Sequence, residues 1–136
     1  MKILIFGLPG SGKTTLSEKL QDQLEDCSWL NADAIRQLYN DWDFSMEGRI
    51  RQAERMRDLA KTAIEDEDKY VICDFVAPTM EIRNIFNPDI SIWMNTIQEG
   101  RFEDTNKVFE SPDNCDFIIT NFDYDIQDIL NFINNK

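Results

Sequence analysis

Residues Gly7-Leu8-Pro9-Gly10-Ser11-Gly12-Lys13-Thr14 satisfy every fixed position of the pattern G-x-x-x-x-G-K-[ST], whose residue types cradle a triphosphate. A chain wrapping phosphate oxygens must bring several backbone N–H groups close to them. Side chains at Gly7, Gly10 and Gly12 would block that approach or forbid the positive φ it needs. A helix starting near Lys13 adds the positive end of its dipole. Lys13 then reaches the β- and γ-phosphates, and the Thr14 hydroxyl ligates magnesium. A plain glycine-rich turn is the alternative, and the context argues against it. The apolar run Ile3-Leu4-Ile5-Phe6 precedes the loop, a helical pattern from Thr15 follows it, and three of the five glycines fall inside it. Pro9, Ser11 and Thr15 complete the set expected around ATP.

Further along lie more residues of the right chemistry. Asp33 follows the second apolar run, Ser28–Leu30, in Asn31-Ala32-Asp33-Ala34-Ile35-Arg36. A carboxylate there either helps hold magnesium and takes a proton from an attacking hydroxyl, or caps a helix; Arg36, one turn later, favours the former. Trp42 and Phe44 stand in a polar loop, where they either cap the core or offer a stacking platform for a base. Ser45 reads as the N-cap of a long helix. Arg51, Arg55 and Arg57 read as solvent-facing partners of Glu47, Glu54 and Asp58. Arg49 differs, because a cation at a helix N-terminus opposes the dipole and suggests an anionic ligand; Gln52 lies on the same side. Tyr70-Val71-Ile72-Cys73-Asp74 has the form of a Walker B strand, whose carboxylate helps hold magnesium. Arg83 belongs to a short helix after Pro78. Arg101 and Lys107 are either the cations of a lid over the γ-phosphate or surface groups paired with Glu99, Glu103 or Asp104.

The elements that must position these residues alternate. Strands are expected at Lys2–Phe6, Ser28–Leu30, Tyr70–Phe75, Ile90–Met94 and Phe117–Thr120, as the continuous apolar runs of a parallel sheet buried on both faces. Helices are expected at Thr15–Leu24, Met46–Ile64 and Tyr124–Ile133, each with an apolar stripe. The last starts among Asp123, Asp125 and Asp128, which suits a helix N-terminus. Right-handed crossovers then give a doubly wound α/β sandwich, with ligands at the carboxyl ends of its strands. Residues 96–114 carry weak periodicity and are the candidate lid.

The chain has 136 residues, enough for one domain. Its net charge of −12 disfavours nucleic acid as a partner. Its three cysteines are widely spaced without a CxxC pair and read as reduced thiols of a cytoplasmic protein. With no histidine, histidine bases and histidine metal ligands are excluded. No apolar run approaches the ~18 residues of a membrane span, and no signal-peptide pattern precedes the first strand.

Taken together, these segments resemble the adenylylsulfate kinases. The family loop G-L-x-G-x-G-K-T-T is matched by Gly7 to Thr15. Its L-D-G-D-N-x-R is matched by Leu30 to Arg36, and its D-L-G-F-S-x-x-x-R-x-x-N by Asp41-Trp42-Asp43-Phe44-Ser45, Arg49 and Gln52. Its I-S-P becomes Val76-Ala77-Pro78. The resemblance implies transfer of the ATP γ-phosphoryl group to the 3′-hydroxyl of adenosine 5′-phosphosulfate, with Mg2+. It implies that Asp33 is the magnesium-linked acid or base, that Arg36 and Arg49 hold the phosphosulfate, that Phe44 stacks on the acceptor adenine and that Gln52 keeps the amide contact of the family asparagine. The chain departs from the family at Asn31 and Ala32, at Asp74 where a small polar residue is frequent, and in a lid pattern only loosely recognisable from Arg101 to Phe109. The expected fold is a P-loop NTPase three-layer sandwich over residues 1–136, its five parallel strands in the order 2-3-1-4-5, with homodimerisation compatible. The alternatives are a P-loop kinase of another hydroxyl (a nucleoside, a modified base or a polynucleotide 5′ end) and a non-catalytic nucleotide-binding protein.

Overall fold

Strand β1 (Lys2–Phe6) is the middle of the sheet, and every residue from Ile3 to Phe6 is buried. In the computed structural model, which describes residues 1–136, it lies between β3 (Tyr70–Asp74) and β4 (Ile90–Met94). Strands β2 (Cys27–Asn31) and β5 (Phe117–Ile119) form the edges. All pairs are parallel and the order is 2-3-1-4-5, as expected. Parallel strands require crossovers, and the helices that make them cover both faces. One face packs Ile3, Ile5, Ile72 and Ile92 against α1 (Lys13–Gln23) and α6 (Ile126–Asn134). The other packs Leu4, Phe6, Val71 and Cys73 against α2 (Ala32–Tyr39), α3 (Met46–Glu65) and α4 (Met80–Phe86). Leu16 and Leu20 of α1 are fully buried, and truncating either to alanine costs about 2–5 kcal/mol.

Strand ends agree with the sequence reading to within a residue. The candidate lid is not wholly irregular: it contains the short helix α5 (Glu103–Val108). Only Thr105 of that helix is buried, so it has no apolar stripe for periodicity to find. The cap of α2 is Asn31 rather than Asp33, its side chain accepting from the N–H of Ala34; Asp33 is left in the first turn. Ser45 caps α3 and Asp125 caps α6 through their side chains. No helix is long and apolar enough to cross a membrane.

The register aligns the carboxyl ends of the inner strands. Asp74 is the partner of both Ile5 and Asn31, and Phe6 of Trp93. The loop after β1, the start of α2, the end of β3 and the segment after β4 therefore meet at one edge, where open α/β sheets bind ligands.

Candidate active site

The phosphate loop joins β1 to α1 by a route that its glycines permit. Gly12 has φ +98°, a left-handed value that side chains disfavour. At Gly7 a Cβ atom would lie 2.7 Å from the Met94 carbonyl oxygen, so the loop is pressed against β4. The Thr96 hydroxyl donates to the Ser11 carbonyl at 2.7 Å and fastens the segment after β4 to the loop. Lys13 Nζ donates to the Leu8 carbonyl at 3.1 Å. Burial lowers the Lys13 ammonium to a pKa of about 8, and the carboxylates of Asp74 and Asp33 pull against that shift.

A cleft of about 630 Å³ opens over the loop. Pro9, Gly10, Lys13 and Thr14 form its floor, while Asp33 and Arg36 of α2, Phe44, and Arg49 and Gln52 of α3 form one wall. Asp74 stands at the back, and Arg101 and Phe102 border the front. The sequence-derived residues are thus brought into one cavity, with five exceptions. Gly7 and Gly12 shape the loop but are not among the lining residues. Ser11 is buried under the loop, its Oγ unpartnered. Thr15 lies outside the lining, and Lys107 faces away, 3.9 Å from Glu103.

The wall formed by α2, Phe44 and α3 has a definite construction. Arg36 is 5% exposed and donates through Nη1 to the carbonyls of Asp41 and Asp43, both at 3.1 Å. Arg49 donates through Nε to the Phe44 carbonyl at 2.9 Å and through Nη2 to Thr105 Oγ1 at 3.3 Å. Neither cation has a carboxylate partner within salt-bridge range, and burial lowers the pKa of each. Such cations are suited to an anionic ligand. Gln52 is engaged at both ends of its amide: Nε2 donates to the Ala32 carbonyl and Oε1 accepts from Arg55. It supports α2 from beneath.

Of the two readings open for Trp42, the core cap does not hold: it is 50% exposed and borders the cleft. One expectation about this wall is corrected. Arg51 and Arg55 pair with Asp41, and Arg51 also with Asp43, rather than with Glu47 and Glu54. The loop before α3 folds back onto the helix and supplies closer carboxylates; Arg57 does pair with Asp58. The sequence reading also missed Asn31 and Trp29, which both hydrogen-bond the Asp74 carboxylate, and Thr105, which receives Arg49. Burial raises the Asp74 carboxyl, opposed by the side chains of Trp29 and Ser17, by the charge of Lys13 and by the Asn31 amide.

A parallel sheet of order 2-3-1-4-5 with a phosphate loop after its central strand is the architecture of the P-loop kinases. The model of the adenylylsulphate kinase family matches residues 1–99, and the chain belongs to that family. It is 33% identical over 92 residues to a probable adenylyl-sulfate kinase of Aeropyrum pernix, an alignment covering 61% of this chain and 48% of the relative. The chain thus spans about half the length of that curated relative. The Mycobacterium tuberculosis APS kinase in complex with AMPPNP and APS shares the fold, with a TM-score of 0.76 at 19% identity over 98% of this chain and 96% of that one. Shikimate kinase from Aquifex aeolicus has a TM-score of 0.68 at 16% identity, over 99% and 97% of the two chains.

Proposed function

We propose that the chain is an ATP-dependent kinase that transfers the γ-phosphoryl group to the 3′-hydroxyl of adenosine 5′-phosphosulfate. The observation that carries this reading is the single cleft in which Lys13 and Thr14 face Asp33, Arg36, Phe44 and Arg49. Lys13 and the loop N–H groups hold the donor phosphates. The Asp33 carboxylate lines the cleft and is placed to accept the proton of the attacking hydroxyl. Arg36 and Arg49 supply charge for the acceptor phosphosulfate, and Phe44 supplies a ring for its adenine. The hydroxyl oxygen bonds to γ-phosphorus, the bridging bond to ADP breaks, and the hydroxyl proton passes to Asp33.

Thr14, Asp33 and Asp74 are the oxygen donors that would hold Mg2+. No group of three or more His, Cys, Asp or Glu side chains forms a cage, and this sparse all-oxygen set fits an ion that keeps water and phosphate ligands. Bound there, the ion neutralises phosphate charge.

The test is ADP formation from ATP with single acceptors supplied in turn: adenosine 5′-phosphosulfate, nucleosides, and small hydroxy compounds. Turnover with the phosphosulfate and its loss in Asp33→Asn support the reading. Turnover only with another acceptor supports the second reading, a kinase of a different hydroxyl, which the buried Walker B-like Asp74 favours.

A further inference from the structure

Asn31 and Asp74 are register partners at the ends of neighbouring parallel strands. Asn31 Nδ2 donates to Asp74 Oδ1 at 2.8 Å, and Trp29 Nε1 donates to Asp74 Oδ2 at 3.0 Å. A carboxylate has about four acceptor sites, so these two donors fix its plane and leave it capacity for more. Asp74 is 2% exposed and lines the cleft beside Lys13 and Thr14.

Asn31 has a second partner. Its Oδ1 accepts from the N–H of Ala34 at 3.0 Å and caps α2, the helix that carries Asp33 and Arg36. A carboxamide has one accepting end and one donating end. With the accepting end committed to α2, the donating end meets Asp74. One side chain therefore joins the carboxylate beside the phosphate loop to the helix of the acceptor wall.

We propose that Asn31 is a positioning residue of the magnesium-nucleotide site, orienting Asp74 through its amide and tying it to α2, and that the pair functions with its one carboxylate on either strand. The hydrogen bonds allow the exchange. With Asp at 31 and Asn at 74, position 31 still caps Ala34, the new amide at 74 donates to position 31, and its carbonyl oxygen accepts from Trp29. Two carboxylates at this buried spot repel each other. Two amides leave the cation without an anion on these strands and set one amide N–H group against another donor.

This holds on the reading of the cleft as a magnesium-nucleotide site made above. The experiment is calorimetric titration of the full chain with ADP, in magnesium and in EDTA, with melting curves of each variant. In the wild type, magnesium should strengthen ADP binding. Asp74→Asn should lose most of that gain, at least about tenfold. The double variant Asn31→Asp/Asp74→Asn should recover it to within a few-fold. Asn31→Ser keeps a cap for α2 but withdraws the amide donor. It should lose several-fold of the magnesium gain while its melting temperature stays near wild type. Asn31→Asp alone should melt several degrees below the double variant. Recovery no better than Asp74→Asn, a wild-type magnesium gain in Asn31→Ser, or a double variant that melts below Asn31→Asp would each overturn the proposal. Absence of magnesium-dependent ADP binding in the wild type itself would instead remove the reading of the cleft, and the proposal with it.

Discussion

The guanidinium of Arg36 lies 4.3 Å from the centroid of the Phe44 ring, and that of Arg49 lies 5.7 Å from the same centroid. Two cations thus steady a ring that is 53% exposed at the mouth of the cleft. Cation–π attraction is worth about 0.5–1 kcal/mol at such a site, enough to bias the ring's orientation. Phe44→Ala is expected to raise the KM for the acceptor while leaving ADP affinity unchanged. Base–aromatic stacking is worth about 1–3 kcal/mol, so the rise should be roughly fivefold to a hundredfold, measured as initial rates against acceptor concentration. An equal loss in ADP affinity would place the ring at the donor side.

Gly48 should resist replacement although it sits in the first turn of a helix. A Cβ there would run into the Asp43 carbonyl oxygen and side chain. Alanine normally favours a helix over glycine by about 1 kcal/mol, so Gly48→Ala would stabilise α3 in isolation. In this chain the added methyl displaces the loop that Arg36 and Arg51 hold. Expected are a raised acceptor KM and a lower melting temperature, with ADP binding by calorimetry retained.

Lys13 gives a pH dependence whose sign is fixed by its burial. Its ordinary pKa of 10.5 falls to about 8 in the fold. Between those values the unfolded chain binds more protons than the folded one, so this group's contribution to stability is least favourable below about pH 8 and improves as pH rises through that window. Ligand phosphates favour the charged form. ADP binding should therefore take up a proton near pH 8 to 9, and its affinity should fall as pH rises beyond about 8. Calorimetry in buffers of different ionisation enthalpy reads the uptake directly, and Lys13→Ala should abolish it.

Arg83 is a buried cation with no carboxylate on it. It is 8% exposed, lies 4.5 Å from the Phe6 ring centroid and 5.1 Å from that of Phe109, and donates to the carbonyls of Ala77 and Glu110. Ala77 has φ +43°, so the bond holds a strained residue in the cleft wall. Glu110 N–H in turn donates to the Pro78 carbonyl, which docks the end of the lid on the same loop. Arg83→Ala leaves two carbonyls short of a donor and a void between rings. A loss of about 2–4 kcal/mol is expected in urea unfolding.

Most of the fold was legible because buried parallel strands write themselves as continuous apolar runs. Ile3 to Phe6 and Tyr70 to Cys73 admit little else, and the glycine pattern with Lys13 and Thr14 has few other meanings. Helix α5 was not legible, because Glu103 to Val108 buries only Thr105. Trp42 carried an ambiguous signal, since an aromatic in a polar loop suits a cleft as well as a core. The partners of Arg51 and Arg55 depended on how the loop from Asn40 folds back, which no local spacing records. The Asn31–Asp74 pair joins residues far apart in the chain through strand register. Each residue was visible alone, and the bond between them was not.

The most direct measurement is the identity of the product when the chain is given ATP, magnesium and adenosine 5′-phosphosulfate. Phosphorus NMR and mass spectrometry distinguish a new 3′-phosphate ester from free inorganic phosphate. Expected are stoichiometric ADP and 3′-phosphoadenosine 5′-phosphosulfate, both lost in Asp33→Asn. Inorganic phosphate with unchanged phosphosulfate, or a phosphoryl group on any other oxygen, would contradict the two-substrate site described around Lys13 and Asp33.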